Sequence, residues 1–312
     1  HPGAVSDYAL NSYLAEYCLI DGLQLTPSSF AEANEDSPTI WQPKDVSGLT
    51  FGTNGFYLDF EDSANLGNDK NGGTDLTEVS LAATDQSTDT PTNNFATLNP
   101  LGNYVGNGVF SEGNLVMTTA TNGHYGRGMS TIRPANGKWY AECKVLDVDR
   151  FQIGFMNGDE TWNLQGGEDT NSVIVGYNAD AYMAGSFADY FDGDLSDDDI
   201  IMLAMDLDNN LAFMGVNGTW ANSATEGEIE AATATNSLTT HVSSTVPVNT
   251  GHVGMFIEDN SGTEKMSGSF NFGSPAYANS SDAADGNGYG AFEYAPPSGF
   301  FALCTKNLAQ YG

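Results

Sequence analysis

The chain has 312 residues, of which 40% are hydrophobic and 11% aromatic, enough for one large or two ordinary globular domains. Nine Lys and Arg residues against 41 Asp and Glu residues give a formal net charge of −32, which disfavours nucleic acid and anionic membrane surfaces as partners. The 36 glycines, with abundant Asn, Asp, Ser and Thr, indicate many turns and therefore many short strands. No run of 18 apolar residues occurs, so we expect no insertion into a membrane.

The first 94 residues divide into two stretches of different composition. Residues 17–20 (YCLI) run into Asp21-Gly22, and residues 56–60 (FYLDF) follow a period of two, so each predicts a strand. Residues 63–94 are polar, and only Leu76, Val79 and Leu81 suggest a short strand there. We therefore predict an extended N-terminal segment over 1–62, a polar linker over 63–94 and the main domain over 95–312.

In residues 95–312, short apolar runs alternate with turn dipeptides such as Asn136-Gly137 and Asn217-Gly218. Besides a central pair, strands are predicted at 115–119, 128–132, 139–147, 151–156, 173–177, 253–258, 268–272 and 300–305. Many short strands with this punctuation predict an all-β fold, an antiparallel β-sandwich. Residues 221–247 are rich in Ala, Ser and Thr and predict a long loop with one short helix.

The most informative stretch is 200–220 (IIMLAMDLDNNLAFMGVNGTW). Its two apolar runs, 200–206 and 211–216, are joined by Leu-Asp-Asn-Asn, which favours an antiparallel hairpin of two central strands. A single helix is the alternative, but Gly215 and Gly218 would each cost it about 1 kcal/mol.

Three cysteines, Cys18, Cys143 and Cys304, each lie in an apolar, strand-like run. Buried free thiols are the expected state, with one disulfide and one leftover thiol as the alternative.

The order of several segments resembles a SPRY domain over residues 95–312. The matching segments are 137–142 (GKWYAE), 152–155 (QIGF), 201–220, 253–256 (VGMF), 269–273 (SFNFG) and 297–308 (PSGFFALCTKNL). The resemblance implies a concanavalin A-like jelly roll that binds a protein or glycan through loops at one end.

Residues 13–22 (YLAEYCLIDG) and 54–60 (NGFYLDF) are similar to the end of a laminin-G/concanavalin A-like module. Joined by 89–100 (DTPTNNFATLNP), the pair of modules resembles tail and fibre proteins of marine bacteriophages. This implies a non-enzymatic virion protein, located on the virion or extracellularly, that attaches to a host surface glycan or protein. We also expect contacts with other virion subunits and a homo-oligomer.

Two other functions remain open. One is a structural assembly or decoration protein whose sandwich contacts neighbouring subunits. The other is a secreted glycan-cleaving enzyme, because concanavalin A-like folds also house glycosidases with two strand-borne acids. Glu228/Glu230 and Asp206/Asp208 have the alternate spacing, but the first pair lies in loop-like sequence and the second at the hairpin turn.

The densest acidic stretch is 189–199 (DYFDGDLSDDD). Asp192, Asp194 and Asp197, with Asp198 and Asp199, are candidate ligands for Ca²⁺, which takes six to eight oxygens at roughly 2.4 Å. The glycine comes too early for an EF-hand loop, so a solvated acidic loop is the alternative. We predict no other cofactor.

A turn at 122–128 (NGHYGRG) places Arg127 beside His124 and Tyr125 in an otherwise acidic chain. The three side chains predict a polar and aromatic ligand clamp; a structural ion pair of Arg127 with an acid is the alternative. Trp162 and Tyr182 lie among polar residues, so they are predicted to be exposed and to stack on sugars.

Overall fold

The computed structural model describes residues 14–33, 41–102, 108–119, 126–157, 166–168, 170–242, 251–259 and 265–312. The chain forms two compact units, His1–Thr92 and Asn93–Gly312.

The described part of the first unit contains two small antiparallel ladders. Its strands are β1 (Tyr17–Leu19), β2 (Ala31–Ala33), β3 (Trp41–Pro43) and β4 (Phe56–Leu58). β1 pairs with β4, and β2 pairs with β3, so the predicted strands at 17–20 and 56–60 are present in shorter form.

The polar stretch that follows β4 is attached to it by hydrogen bonds. Asp69 Oδ1 accepts a bond of 2.9 Å from the Tyr57 N–H, and Gln86 Nε2 donates to the Phe60 carbonyl at 2.7 Å. The short strand suggested at 76–81 is absent, and its three apolar side chains are exposed.

The second unit is built from antiparallel strands with a few short helices. Its strands are β5 (Gly108–Ser111), β6 (Val116–Thr119), β7 (Arg127–Met129), β8 (Lys138–Asp147), β9 (Phe151–Asn157), β10 (Ser172–Gly176), β11 (Asp180–Met183), β12 (Ser186–Asp189), β13 (Ile200–Asp206), β14 (Leu211–Val216), β15 (Thr219–Trp220), β16 (Val253–Asp259), β17 (Ser267–Asn271) and β18 (Phe301–Ala302). Its helices are α1 (Glu226–Glu230), α2 (Leu238–His241) and α3 (Thr305–Tyr311).

These strands form two sheets. One has six strands in the order β12-β11-β10-β9-β16-β7. The other has eight, in the order β15-β14-β13-β8-β17-β6-β5, with β18 pairing in parallel with β8. The all-β prediction is confirmed.

The two sheets share one hydrophobic core. Among its buried members are Phe151, Ile153 and Phe155 of β9 and Ile201, Leu203 and Met205 of β13. Because side chains alternate across a strand, the next residues of each strand lie on the outer faces. Most of these are buried too, which explains why β13 is almost continuously apolar in sequence.

The central hairpin has the predicted limits. β13 pairs with β14 from Ile201 opposite Val216 to Asp206 opposite Leu211. Asp206 Oδ1 accepts hydrogen bonds from the main chain and side chain of Asn209, which closes the turn. The single-helix alternative is therefore excluded.

Other predictions needed correction. A strand was predicted over 300–305, but only β18 is extended and α3 begins at Thr305. The described part of the loop after β15 holds two short α-helices, α1 and α2, with a 3-10 turn at Ala234–Asn236 between them, instead of one helix. All three cysteines are free thiols; Cys143 and Cys304 are buried, whereas Cys18 is half-buried.

In the part of the chain that the structure describes, no helix has the length and apolar character needed to span a membrane.

Candidate functional site

β11 and β12 form a hairpin, called here the edge hairpin, at one end of the six-stranded sheet. The turn between them is the pair Ala184-Gly185, with φ of 49° and 81°. Left-handed backbone at both turn residues is the type I′ geometry that suits the twist of a two-residue hairpin. Met183 and Ser186 pair across it, which fixes the register of the strands.

That register places two pairs of side chains on one face. Ala181 and Met183 of β11 belong to the sandwich core. Since side chains alternate along a strand, Asp180 and Tyr182 lie on the opposite, outer face. Tyr182 is directly opposite Phe187, and Asp180 is directly opposite Asp189.

Tyr182 and Phe187 form a stacked aromatic pair. Their ring centroids are 4.2 Å apart and the ring planes differ by 17°. The main chain of Gly167 lies against Tyr182, because a Cβ built on this glycine would be 2.6 Å from Tyr182 Cδ1. Phe187 is 68% exposed although its ring is held by the stack. The pair therefore offers solvent a fixed aromatic surface.

Asp180 and Asp189 form a carboxyl pair beside the aromatic pair. The pKa of Asp180 is raised, first by partial burial and then by the hydrogen bond and negative charge of Asp189. Asn178 Nδ2 donates to Asp180 Oδ2 at 2.6 Å and opposes this rise in pKa, whereas the charge of Asp194 adds to it. The two carboxyl groups, which lie directly opposite each other, therefore interact electrostatically.

The predicted residue Tyr182 belongs to this site, but it is half-buried beneath a residue that the sequence did not single out. Phe187 supplies the more exposed ring. The alternation in 186–189 (SFAD), after the turn-forming Ala-Gly pair, is the sequence feature that could have revealed it.

The structure places Arg127 in a different role from the predicted clamp. Arg127 is fully buried in β7, and its Nη2 lies 2.6 Å from Glu258 Oε2. Its guanidinium also lies over the Phe256 ring, 5.5 Å from the centroid. This arrangement favours the structural ion pair over a ligand clamp, because a ligand cannot reach a buried guanidinium. His124, Tyr125 and Trp162 lie outside the described residues.

The candidate calcium ligands do not converge. Among the described residues, no group of three or more His, Cys, Asp or Glu side chains is arranged to hold a metal ion. Asp197 Oδ1 instead accepts a hydrogen bond of 2.8 Å from the Val148 N–H. Asp192 and Asp194 line a pocket of about 220 Å³ that Trp220 also borders. The described residues therefore give no arrangement that would hold Ca²⁺ on Asp192, Asp194 and Asp197, and the Ca²⁺ assignment stays a prediction.

The acid pairs considered for glycan cleavage have structural partners. Glu228 caps α1 through Thr225, and Glu230 accepts a hydrogen bond from the Ser298 N–H. Asp206 is buried and lies 3.1 Å from Lys138 Nζ, while Asp208 accepts the Gly137 N–H. Asp180 and Asp189 are also strand-borne, and they lie directly opposite each other in the edge hairpin.

No protein-family model matches the chain, and no curated protein matches it. Among solved structures, the SPRY domain of human HERC1 is similar, with 12% sequence identity and a TM-score of 0.41. The match covers 55% of this chain and 96% of that domain.

Proposed function

We propose that this chain is a non-enzymatic recognition protein that binds a surface glycan through the outer face of the edge hairpin. The observation that carries the proposal is the exposed ring of Phe187, stacked on Tyr182. Aromatic faces bind the apolar C–H faces of sugar rings, and a ring that is already ordered loses little entropy when a ligand arrives.

Polar groups next to the rings complete the arrangement. Asn178 and the two carboxyl groups of Asp180 and Asp189 can accept or donate hydrogen bonds to sugar hydroxyls. Binding sites of this kind combine an apolar surface with a few convergent polar groups. All of these residues lie in or beside one short hairpin, so the site depends on few other parts of the chain.

The biological setting that we propose is a phage virion, in a tail fibre or appendage that attaches to the host. This part of the proposal rests on the order of the SPRY-like and laminin-G-like segments in the sequence. The net charge of −32 is suited to solubility outside the cell in salt, where screening is strong.

A glycan-array screen with the purified chain tests the recognition function. We expect bound glycans, and we expect Phe187→Ala to lose them while Phe187→Trp keeps them. Val109→Ala is the matched control. Val109 is an apolar residue that is 62% exposed, and it lies on β5, the strand at one end of the other sheet. Binding that survives Phe187→Ala unchanged would overturn the assignment of this site.

A structural role in assembly is the second candidate, and a specific observation favours it. Among the described residues, β12 and β5 end their sheets, and each exposes a large apolar side chain, Phe187 or Val109. A strand at the end of a sheet has one edge without a partner strand, and that edge can pair with a strand of another chain. Sedimentation of the wild type and both alanine variants separates the two functions. An oligomer that dissociates in one variant, with no glycan bound by any form, would support assembly.

A further inference from the structure

We propose that the edge hairpin selects a glycan with a free, protonated amino group, such as a hexosamine that is not N-acetylated. The inference rests on the proposed function, because the aromatic pair remains the surface on which the sugar lies. It adds a second element, the Asp180/Asp189 carboxyl pair, as the part that recognises the ammonium group.

The two elements are spaced for one ligand. Phe187 and Asp189 are two positions apart on β12, as Tyr182 and Asp180 are on β11, and all four share the outer face. Successive side chains on one face of a strand are about 6.6–7 Å apart. A sugar that stacks on Phe187 therefore carries its ring substituents toward the carboxyl pair.

Asp180 and Asp189 are two like charges without a salt bridge to a basic side chain in the described part of the chain. Like charges directly opposite each other destabilise an antiparallel ladder. Among the described residues, no Lys, Arg or His forms a salt bridge with Asp180 or Asp189, and the nearby Asp194 adds further negative charge. An ammonium group placed between the two facing carboxylates would offset this repulsion.

Charge complementarity also decides against other glycans. The chain has 41 acidic residues and nine basic ones, so sugars that carry carboxylate or sulfate groups are repelled. Neutral sugars gain the aromatic contact but leave the carboxyl pair unchanged. Amino sugars gain both interactions, since an ammonium group is attracted to carboxylates and to the face of an aromatic ring.

The test compares two tetramers that differ only in acetylation, glucosamine and N-acetylglucosamine, at a pH where the amines are protonated. We expect the glucosamine tetramer to bind about three- to tenfold more tightly, from one exposed charge pair and one cation–π contact. High salt should reduce this preference by screening. Asp180→Asn and Asp189→Asn should each abolish the preference, and Phe187→Ala should abolish the binding of both tetramers.

Two controls separate this site from the general acidity of the chain. Glu226→Gln removes one exposed charge on α1, outside the hairpin, and should leave the preference intact. Spermidine, a cation without a sugar ring, should compete poorly. Thermal unfolding of the Asp→Asn variants should show equal or higher stability, because each removes a repulsion.

Equal, Phe187-dependent affinity for the two tetramers would overturn this inference and leave the glycan-binding function standing. Competition by spermidine as strong as that by glucosamine tetramer would also overturn it. If neither tetramer nor any array glycan binds, both the inference and the proposed function fail.

Discussion

Arg127 and Glu258 form a buried ion pair on the outer face of the six-stranded sheet. Arg127 Nη2 lies 2.6 Å from Glu258 Oε2, and Nε donates to the same oxygen at 2.8 Å. The other carboxylate oxygen accepts a hydrogen bond of 2.7 Å from the Gly166 N–H. Burial raises the pKa of Glu258, and the charge of Arg127 opposes that rise. The pair therefore joins β7 and β16, and through Glu258 it also holds the main chain of Gly166.

Removing one partner of this pair should destabilise the second unit strongly. Arg127→Ala leaves a buried carboxylate without its cation, which costs about 3–5 kcal/mol. Denaturant unfolding should show this loss directly. Arg133→Ala, at an exposed arginine, is the matched control and should change the free energy of unfolding by less than about 0.5 kcal/mol.

The double variant Arg127→Met/Glu258→Met removes both charges while keeping side chains of similar volume, so it distinguishes the effect of charge from the effect of packing. Replacing both charges with apolar side chains of similar size should recover most of the stability, because no unpaired charge remains. If Arg127→Ala costs less than about 1 kcal/mol, the pair does not stabilise this face.

The burial of Glu142 predicts that the free energy of unfolding changes with pH in a definite direction. Its side chain is fully buried in β8 and accepts hydrogen bonds from the N–H groups of Tyr294 and Glu293 at 2.7 and 3.0 Å. Burial raises its pKa above the ordinary 4.5, more than these bonds lower it. The folded protein thus keeps a proton that the unfolded chain releases. The stabilisation is fully present below pH 4.5 and is lost as the pH rises through the folded-state pKa.

The measurement is the free energy of unfolding from below pH 4.5 to neutrality, for the wild type and Glu142→Gln. The wild type should lose stability relative to the glutamine variant as the pH rises. Glu228→Gln is the control of opposite sign. The Thr225 N–H lowers the Glu228 pKa, so its stabilisation is lost as the pH falls. Parallel curves for the wild type and Glu142→Gln would contradict the assigned shift.

The sequence predicted correctly those strands and turns that are determined by residues close together in the chain. The hairpin of β13 and β14 has the limits expected from its two apolar runs and the Asp-Asn turn between them. By contrast, β18 ends where the carboxylate of buried Asp285 accepts hydrogen bonds from the Ala302 N–H at 2.9 Å and from Asn307 Nδ2 of α3 at 2.7 Å, 17 and 22 positions away. Contacts between residues distant in sequence are not visible in a local pattern.

The same distinction applies to the candidate site. Tyr182 was predicted because it lies among polar residues, but its partner Phe187 becomes visible only when β11 and β12 are aligned. Arg127 and Glu258 are 131 positions apart, so the sequence left a clamp and an ion pair equally open. The acidic loop at 189–199 shows another limit of prediction from sequence. Many carboxylates close together in the chain do not reveal whether their oxygens point to one place in the fold.

The turn of the edge hairpin gives a pair of substitutions with opposite expected effects. Ala184 has φ of 49°, a left-handed conformation that is strained for alanine and better tolerated by asparagine. Ala184→Asn should therefore raise stability by about 0.5–1 kcal/mol. Gly185→Ala should lower it by about 1 kcal/mol, because φ of 81° favours glycine although the space around it is open. Thermal unfolding measures both, and two changes of the same sign would contradict the type I′ turn.

Leu203 tests whether β13 is the centre of the sandwich. It is fully buried and pairs with Ala141 of β8 on one side and Met214 of β14 on the other. Leu203→Asp would place an unpaired charge in the core at a cost of several kcal/mol, comparable to the whole stability of a typical domain. We expect no cooperative unfolding transition for this variant. Leu146→Asp makes the same chemical change at a residue of β8 that is 41% exposed, and it should fold normally. A soluble Leu203→Asp variant with a cooperative transition would show that the strand pairing around β13 is wrong.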